Sequence, residues 1–501
     1  MLRSLTRNRP GILGSLPRVS LLGGVGLLLG AACLFVSPLW TLVGLLVLGL
    51  LLLALKRPEV LALVYLLLTS TVTRVTRALS VSLGFGTFYL TDALLLLAFG
   101  IIVTRVLAER KFQTRRTPLD WALLLFVGAS LLSTIVAVRT GSLPWRQSLG
   151  EVRIVLGYLL FFVVTNLVRG EHQLRNLVRG LIALAAAVAV ATIVQYAVGQ
   201  SDVLLAGRIE ELATEGTEIV GVARVIPPGQ SLLVVGFTLV LATLVLDTSG
   251  FLDVARVFLL GLLGTAIVIT FFRASWVVVA LTTIAVIASA GRRDKQRLIL
   301  WAIIAVMVLG IVGGLTALKP ESQARALVQA ALERLQTLAE PATYESPSSS
   351  LRWRDFEYSY AIPEIMSSPF IGLGLGARYR PFVPPRDYEG FDGRDFIHNG
   401  HVWVVLKAGL FAYIGLMYFS LGIVFRGLRR WRRMREAWMR GLVLGSALVF
   451  MGALIVSNIE PYVMTASWTP VLAVVAGINE VALRIDGEQT SRLRTTDFHE
   501  R

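Results

Sequence analysis

Cysteine is almost absent from this 501-residue chain, Cys33 being the only one. A disulfide framework and a thiolate metal site within one chain are thereby excluded. Cys33 follows Gly30-Ala31-Ala32, a faint lipoprotein cleavage box. Gly30 stands where an apolar residue is wanted, however, and another apolar run follows at once, so the segment reads as an uncleaved membrane helix. Acidic residues are also scarce, 32 against 48 Lys and Arg, for a formal net charge of +16. That balance does not point to nucleic acid. The cations cluster in short loops between apolar runs, as cytoplasmic loops do under the positive-inside rule. No internal repeat is visible, which counts against a transporter built from inverted repeats. The glycine string Gly372-Leu373-Gly374-Leu375-Gly376 follows no buried strand, so it is read as a tight turn and not as a dinucleotide fingerprint.

What is present is apolar: 55% of residues are hydrophobic and the mean hydropathy is +0.71. A soluble surface must stay wet, so this composition, with repeated runs of bilayer length, reads as an all-α polytopic membrane protein. Runs fall at 19–37, 39–55, 60–76, 88–107, 119–138, 152–168, 177–198, 230–246, 256–272, 274–290, 298–318, 400–425, 441–457 and 465–483. Basic clusters at 105–116, 292–297 and 426–440 agree with one topology of about fourteen spans and two cytoplasmic termini. The expected organisation is a cytoplasmic tail over 1–18, eleven spans within 19–318, and an extracytoplasmic loop over 319–399. Three spans follow within 400–483, then a cytoplasmic tail over 484–501. In the long loop, apolar residues between Pro320 and Glu340 recur at helical spacing, the pattern of an amphipathic interfacial helix. Residues 351–367 read as a second helix.

The polar stretch that ends this loop runs straight into an apolar span. His398, in Phe396-Ile397-His398-Asn399-Gly400-His401, can accept a proton from a hydroxyl, with Asn399 orienting a ring or a substrate; the plainer alternative is a histidine that caps the span. His398 and His401 with Asp395 are a weak metal set, lacking distant ligands. Arg224, Arg273 and Arg352 come from separate segments that the topology brings to the outer membrane face. Three guanidinium forks at one face suit a diphosphate, although each alone also suits a helix end that snorkels. Glu460 and Asn458, in the last outer loop, are candidates to line the same cavity.

These motifs resemble the O-antigen ligase and polymerase superfamily of bacterial membrane glycosyltransferases. Over roughly 220–425 the chain carries, in order, Thr270-Phe271-Phe272-Arg273-Ala274-Ser275-Trp276, then Arg352, then Ser368-Pro369-Phe370-Ile371-Gly372-Leu373-Gly374. His398-Asn399 and the Gly409 to Gly415 span follow. Lys407 stands where the family often has an acidic residue, and Arg224-Val225-Ile226-Pro227-Pro228-Gly229-Gln230 departs from the family's usual segment. The resemblance implies transfer of a glycan from a polyprenyl diphosphate to an acceptor hydroxyl, on a glycan or a lipid-borne glycan, at the outer face of the cytoplasmic membrane. It further implies His398 as general base, Arg273, Arg352 and Arg224 on the diphosphate, Asn399 in support, inversion at the anomeric carbon, and neither metal nor cofactor. Ligase and polymerase remain equally open. The alternative from another class is a flippase or exporter of lipid-linked glycans.

Overall fold

A backbone polar group in lipid must be satisfied within its own segment, so apolar runs of this kind fold as helices. A computed structural model describes residues 56–72, 80–84, 86–108, 113–199, 207–214, 217–247, 254–292, 329–332, 350–384 and 392–499, with a few isolated positions besides. The chain divides into a small unit, residues 1–60, and a large one, residues 61–501, which holds all that follows but the first two residues of the first helix.

The described helices are α1 (Glu59–Ser70), α2 (Leu90–Ala108), α3 (Asp120–Arg139), α4 (Trp145–Gly157), α5 (Leu160–Leu167), α6 (Glu171–Val198), α7 (Gln230–Leu246), α8 (Val254–Ile269) and α9 (Arg273–Ser289). After these come α10 (Ser350–Ser367), α11 (Gly400–Arg430), α12 (Ala437–Val456) and α13 (Thr469–His499). Two antiparallel hairpins interrupt them, β1 (Ser80–Leu83) with β2 (Gly86–Tyr89) and β3 (Arg208–Thr214) with β4 (Thr217–Ile226).

Among the described residues, six helical stretches are long and apolar enough to cross a membrane: α2, α3, α4 with α5, α6, α11 with the turn after it, and α12. α1, α7, α8 and α9 are apolar but shorter. The count of about fourteen therefore stands only in part: the runs at 19–37, at 298–318 and most of 39–55 lie outside the described residues, as does most of the 320–340 segment. The loops at 77–87 and 199–229 contain hairpins that the sequence reading did not foresee.

Close helix contacts rest on small residues, as expected where lipid leaves no hydrophobic gain between helices. Gly441 and Gly445, four residues apart on one face of α12, lie on α7, where a Cβ on Gly441 would come within 2.6 Å of Thr243 Cα. Gly415 of α11 lies equally close to α3, where an added Cβ would come within 2.6 Å of Phe126 N. Between these contacts sits an edge-to-face aromatic cluster of Phe126, Tyr158, Phe419 and Phe450. Tyr158, at the joint between α4 and α5, is fully buried and donates its hydroxyl to the Val463 carbonyl at 2.9 Å. Leu96, Trp121, Phe258, Ile284 and Tyr418 face outward and are well over half exposed, which suits a lipid-facing belt.

One break in the helical pattern sets the position of the site. Helix α11 is interrupted at Gly409, whose φ of 79° only glycine adopts freely. The carbonyls orphaned by the break are satisfied by the glycine turn: Leu373 N–H donates to Leu406 O and Gly374 N–H to Lys407 O, both at 2.9 Å. Leu410 N–H donates in return to Pro369 O at 2.9 Å. Gly372, Gly374 and Gly376 all have positive φ, so the string is the tight turn expected. Beneath it, buried Lys407 pairs with Glu151 of α4, whose second carboxylate oxygen accepts from Gly376 N–H at 2.8 Å and from Trp403 Nε1 at 3.2 Å. Lys407 thus has its carboxylate supplied from another helix.

Candidate functional site

The site is assembled at the end of the bundle where α9, α11 and α13 begin and α12 finishes. Its first component is α10. Trp353 and Glu357, four residues apart, share one face of that helix, and the Trp353 indole donates to Glu357 Oε1 at 3.0 Å. Glu357 is fully buried. Its carboxylate also accepts from the His398 backbone N–H (Oε2, 3.0 Å) and lies 2.8 Å from His398 Nδ1 (Oε1). An ionised carboxylate only accepts, so the network assigns the ring proton to Nδ1 and leaves Nε2 with a lone pair. Phe396 stands edge-on to the ring at 4.9 Å, and Tyr379 holds Phe396 through its carbonyl at 3.0 Å. The His398 side chain is still 30% exposed. A base must be reachable, and this one is.

Asn399 caps α11: its side-chain oxygen accepts from His401 N–H at 2.9 Å and Val402 N–H at 3.1 Å. Its amide also donates to the Tyr358 hydroxyl at 3.0 Å. Helix α10 therefore grips both residues of the His-Asn pair with consecutive side chains, Glu357 and Tyr358. His401 turns the other way. Its Nε2 lies 2.9 Å from the Leu454 carbonyl of α12 and its Nδ1 3.3 Å from the Tyr413 hydroxyl. The ring is thus engaged away from Asp395 and His398, and no metal-ligating cluster occurs among the described residues.

The second component is the link between α12 and α13, residues 457–468. It is tied to the start of α11 by Gly400 N–H on Ser457 O at 2.7 Å. Arg354 of α10 reaches it as well, donating to Ile459 O at 2.9 Å. Glu460 of this link lies within electrostatic range of groups on three elements. Burial pushes its carboxyl up from the ordinary range, opposed by His398, Arg354 and Arg224, while Glu357 adds to the rise. His398 and Arg224, far apart in sequence, thus both act electrostatically on one carboxylate.

The third component is the turn between α8 and α9, where the Thr-Phe-Phe-Arg-Ala-Ser-Trp motif explains itself locally. The Thr270 hydroxyl and the Trp276 indole both donate to Ile267 O, at 2.7 and 3.0 Å, closing the end of α8. Phe271, fully buried, is held at a φ of 47°; strain of this kind in a bulky residue gathers at functional sites. The reversal delivers Arg273, partly buried, as the first residue of α9. Phe272 stacks on Tyr462 at 6.4 Å, Tyr462 stacks on Trp468 at 4.0 Å, and Arg224 of β4 lies over the Phe272 ring at 5.5 Å. Ser275 and Gln230 complete the ladder, with the Ser275 and Tyr462 hydroxyls 3.1 Å apart and the Gln230 amide donating to Ser275 Oγ at 3.0 Å.

The arrangement thus groups His398, Arg224 and the Phe272-Arg273 turn around residues 457–468. Arg352 lies on the exposed first turn of α10, and it is Arg354 that reaches the link. Sequence reasoning assigned no role to Glu357 or Tyr462, and it singled out Arg354 only as part of the polar segment with Arg352. The spacing of Trp353 and Glu357 on one helical face was the one available signal for the first of them. Such a site offers a proton acceptor, a carboxylate steadying it, and guanidinium groups across from both.

Residues 258–417 of the chain match the O-antigen ligase family. That span takes in most of α8, α9 with Arg273, all of α10, His398-Asn399 and the break in α11; Arg224 and Glu460 lie outside it. No curated protein matches the chain.

Proposed function

We propose that this member of the O-antigen ligase superfamily moves a glycan from a polyprenyl diphosphate to an acceptor hydroxyl at the outer face of the cytoplasmic membrane, in cell-surface polysaccharide assembly. The observation that carries this reading is the buried Glu357 on His398 Nδ1, set at a bundle end that also carries Arg224 and Arg354 around Glu460. His398 Nε2 takes the proton of the acceptor hydroxyl as its oxygen attacks the anomeric carbon. The bond from that carbon to the diphosphate oxygen breaks, and polyprenyl diphosphate leaves with the electron pair. Glu357 faces the positive charge that forms on the ring. Arg224 and Arg273, with Arg352 or its neighbour Arg354 from α10, bind the diphosphate and stabilise the charge it gains. The guanidinium groups take the role that a metal ion has in other phosphate chemistry, and a single displacement inverts the anomeric centre.

The opposite end of the bundle supports the orientation. It carries Arg115, Arg426, Arg429, Arg430, Arg432, Arg433 and Arg435, as a cytoplasmic side should, which supports an outer position for the His398 end.

The test is release of free polyprenyl diphosphate by the purified protein in liposomes, given a polyprenyl diphosphate-linked oligosaccharide, an acceptor and EDTA. Wild type releases carrier with transfer of the glycan, and His398→Ala falls by about 10²–10⁴-fold, the usual worth of a general base. Equal release by both would remove His398 from the mechanism. Movement of intact donor across the bilayer without release would replace the transferase with a flippase.

A further inference from the structure

The end of the bundle away from His398 holds a cavity that the transfer reaction does not use. It measures about 730 Å³ and lies between residues 430–434, where α11 ends and turns, and the 483–491 stretch of α13. Cavities of roughly 300–1,000 Å³ are the usual size of small-molecule sites. Helix α11 begins beside His398 and has 31 residues, so at about 1.5 Å per residue its far end lies roughly 45 Å along the axis.

The walls are fixed from both sides. Trp431 and Met434 of the turn are buried, as is Leu483 of α13. The Arg435 backbone N–H donates to Asp486 Oδ1 at 3.0 Å, which ties the turn to α13. Arg440 donates to the Met434 and Arg435 carbonyls at 2.7 and 3.2 Å and ties it to α12.

Neighbouring arginines are engaged, and those of the cavity are not. Arg426 donates to both oxygens of Glu480 at 2.9 and 2.8 Å, and Arg432 lies over the Trp431 ring at 5.0 Å. Among the described residues, no carboxylate, carbonyl or ring takes the guanidinium of Arg430 or of Arg433. The other hydroxyl groups of the lining point their protons elsewhere. Thr490 donates to the Asp486 carbonyl at 2.8 Å and Ser491 to the Glu488 carbonyl at 2.9 Å. Two exposed guanidinium groups are therefore the donors that the cavity offers.

Two features oppose an anion there. The end of α11 carries roughly half a negative charge, and the Asp486 carboxylate is part of the lining. Against them stand the charges of Arg430 and Arg433, within a stretch 429–436 that has five arginines and a single acid, Glu436. Glu488 is paired with Arg115 at 3.4 Å. The balance is positive.

We infer that this cavity binds a phosphate group, on a lipid headgroup or on a free phosphate compound, between Arg430 and Arg433. A planar guanidinium matches two phosphate oxygens at once, and basic pockets between spanning helices suit anionic headgroups. The inference goes beyond the transferase reading and stands without it.

The experiment takes the full-length protein from phosphatidylcholine nanodiscs doped with phosphatidylglycerol and counts retained lipid by native mass spectrometry. Phosphatidylglycerol should be retained over phosphatidylcholine, and Arg430→Ala with Arg433→Ala should lower its retention about tenfold. Gly487→Trp should do the same with no change of charge, because Gly487 is exposed and a Cβ there would meet nothing within 4 Å. Asp486→Asn should raise retention. Arg429→Ala with Arg432→Ala removes equal charge outside the lining and should cost less than about threefold. Thermal transitions confirm that each variant is folded. Inorganic phosphate, added to protein in phosphatidylcholine alone, separates the sources. A raised thermal transition that the Arg430/Arg433 variant lacks assigns the site to a free phosphate compound; no rise, with phosphatidylglycerol retained, assigns it to a lipid headgroup. Equal losses in the two double variants, equal retention of phosphatidylcholine, or no response to either probe would overturn the inference.

Discussion

Replacing Glu357 by Gln is the sharpest test of how the site is held. Three donors converge on that carboxylate: the His398 backbone N–H, His398 Nδ1–H and the Trp353 indole. A glutamine has one accepting oxygen, which can take the two donors now on Oε1, and its amide nitrogen then faces the His398 backbone N–H, donor against donor. A buried donor left without an acceptor costs roughly 1–3 kcal/mol, and here the strain falls on the residue whose ring must be aimed. At about 1.4 kcal/mol per decade of rate, kcat for carrier release should fall roughly 10- to 100-fold, with the donor KM little changed. Trp353→Phe deletes one donor and leaves the carboxylate satisfied at His398, so its loss should stay below about tenfold. Initial rates in proteoliposomes, normalised to folded protein by thermal transition, measure both. A Glu357→Gln enzyme within twofold of wild type would refute the argument, as would an equal loss in Trp353→Phe.

Further outcomes follow from other contacts. Lys407→Met alone leaves Glu151 charged and buried, and should destabilise the protein by about 3–5 kcal/mol, read as a lower thermal transition in detergent; adding Glu151→Leu should restore much of the loss, and no recovery would show that the pair is not the dominant contact there. Arg354→Ala should raise the donor KM more than Arg352→Ala does, because Arg354 reaches the link and Arg352 lies on the exposed face; the reverse order would return the diphosphate to Arg352. Glu460 is held up from its ordinary value of 4.5 chiefly by burial. A raised carboxyl stabilises the fold in its protonated form and loses that contribution as pH climbs through its folded pKa. Glu460→Gln should therefore gain thermal stability relative to wild type as pH rises above about 4.5, and a pH-independent difference would exclude the titration.

Much of this was readable from residue order. Long apolar runs dictate helices in lipid, and helix 350–367, the glycine turn and the helix start at Gly400 all follow from spacing and breakers. Pairings were not readable. Glu357 lies 41 residues from His398 and Glu151 lies 256 from Lys407, and no local pattern says which helices meet. The choice between Arg352 and Arg354 is a matter of helical phase, settled only when the buried face of α10 is known. The span count suffered from length: α7, α8 and α9 have 16 or 17 residues, near the lower limit for a crossing helix, and hydropathy alone does not distinguish these from full spans. The first hairpin escaped notice because its four-residue strands give too short an alternation to register against flanking helices; the second, with strands of seven and ten residues, was read as a polar loop on account of Glu210, Glu211, Glu215 and Glu218.

The meeting of the glycine turn with the break in α11 is made wholly of peptide groups. Leu373, Gly374 and Leu410 N–H groups and the Leu406, Lys407 and Pro369 carbonyls are common to every residue type, so that junction constrains shape while reading no chemistry. Sequences that diverge in the sugar they handle have no reason to alter Gly372, Gly374, Gly376 or Gly409, and every reason to alter side chains beside His398 and the 457–468 link. Swapping the turn between two relatives should therefore leave their glycan preference untouched, whereas exchanging the link should carry that preference with it.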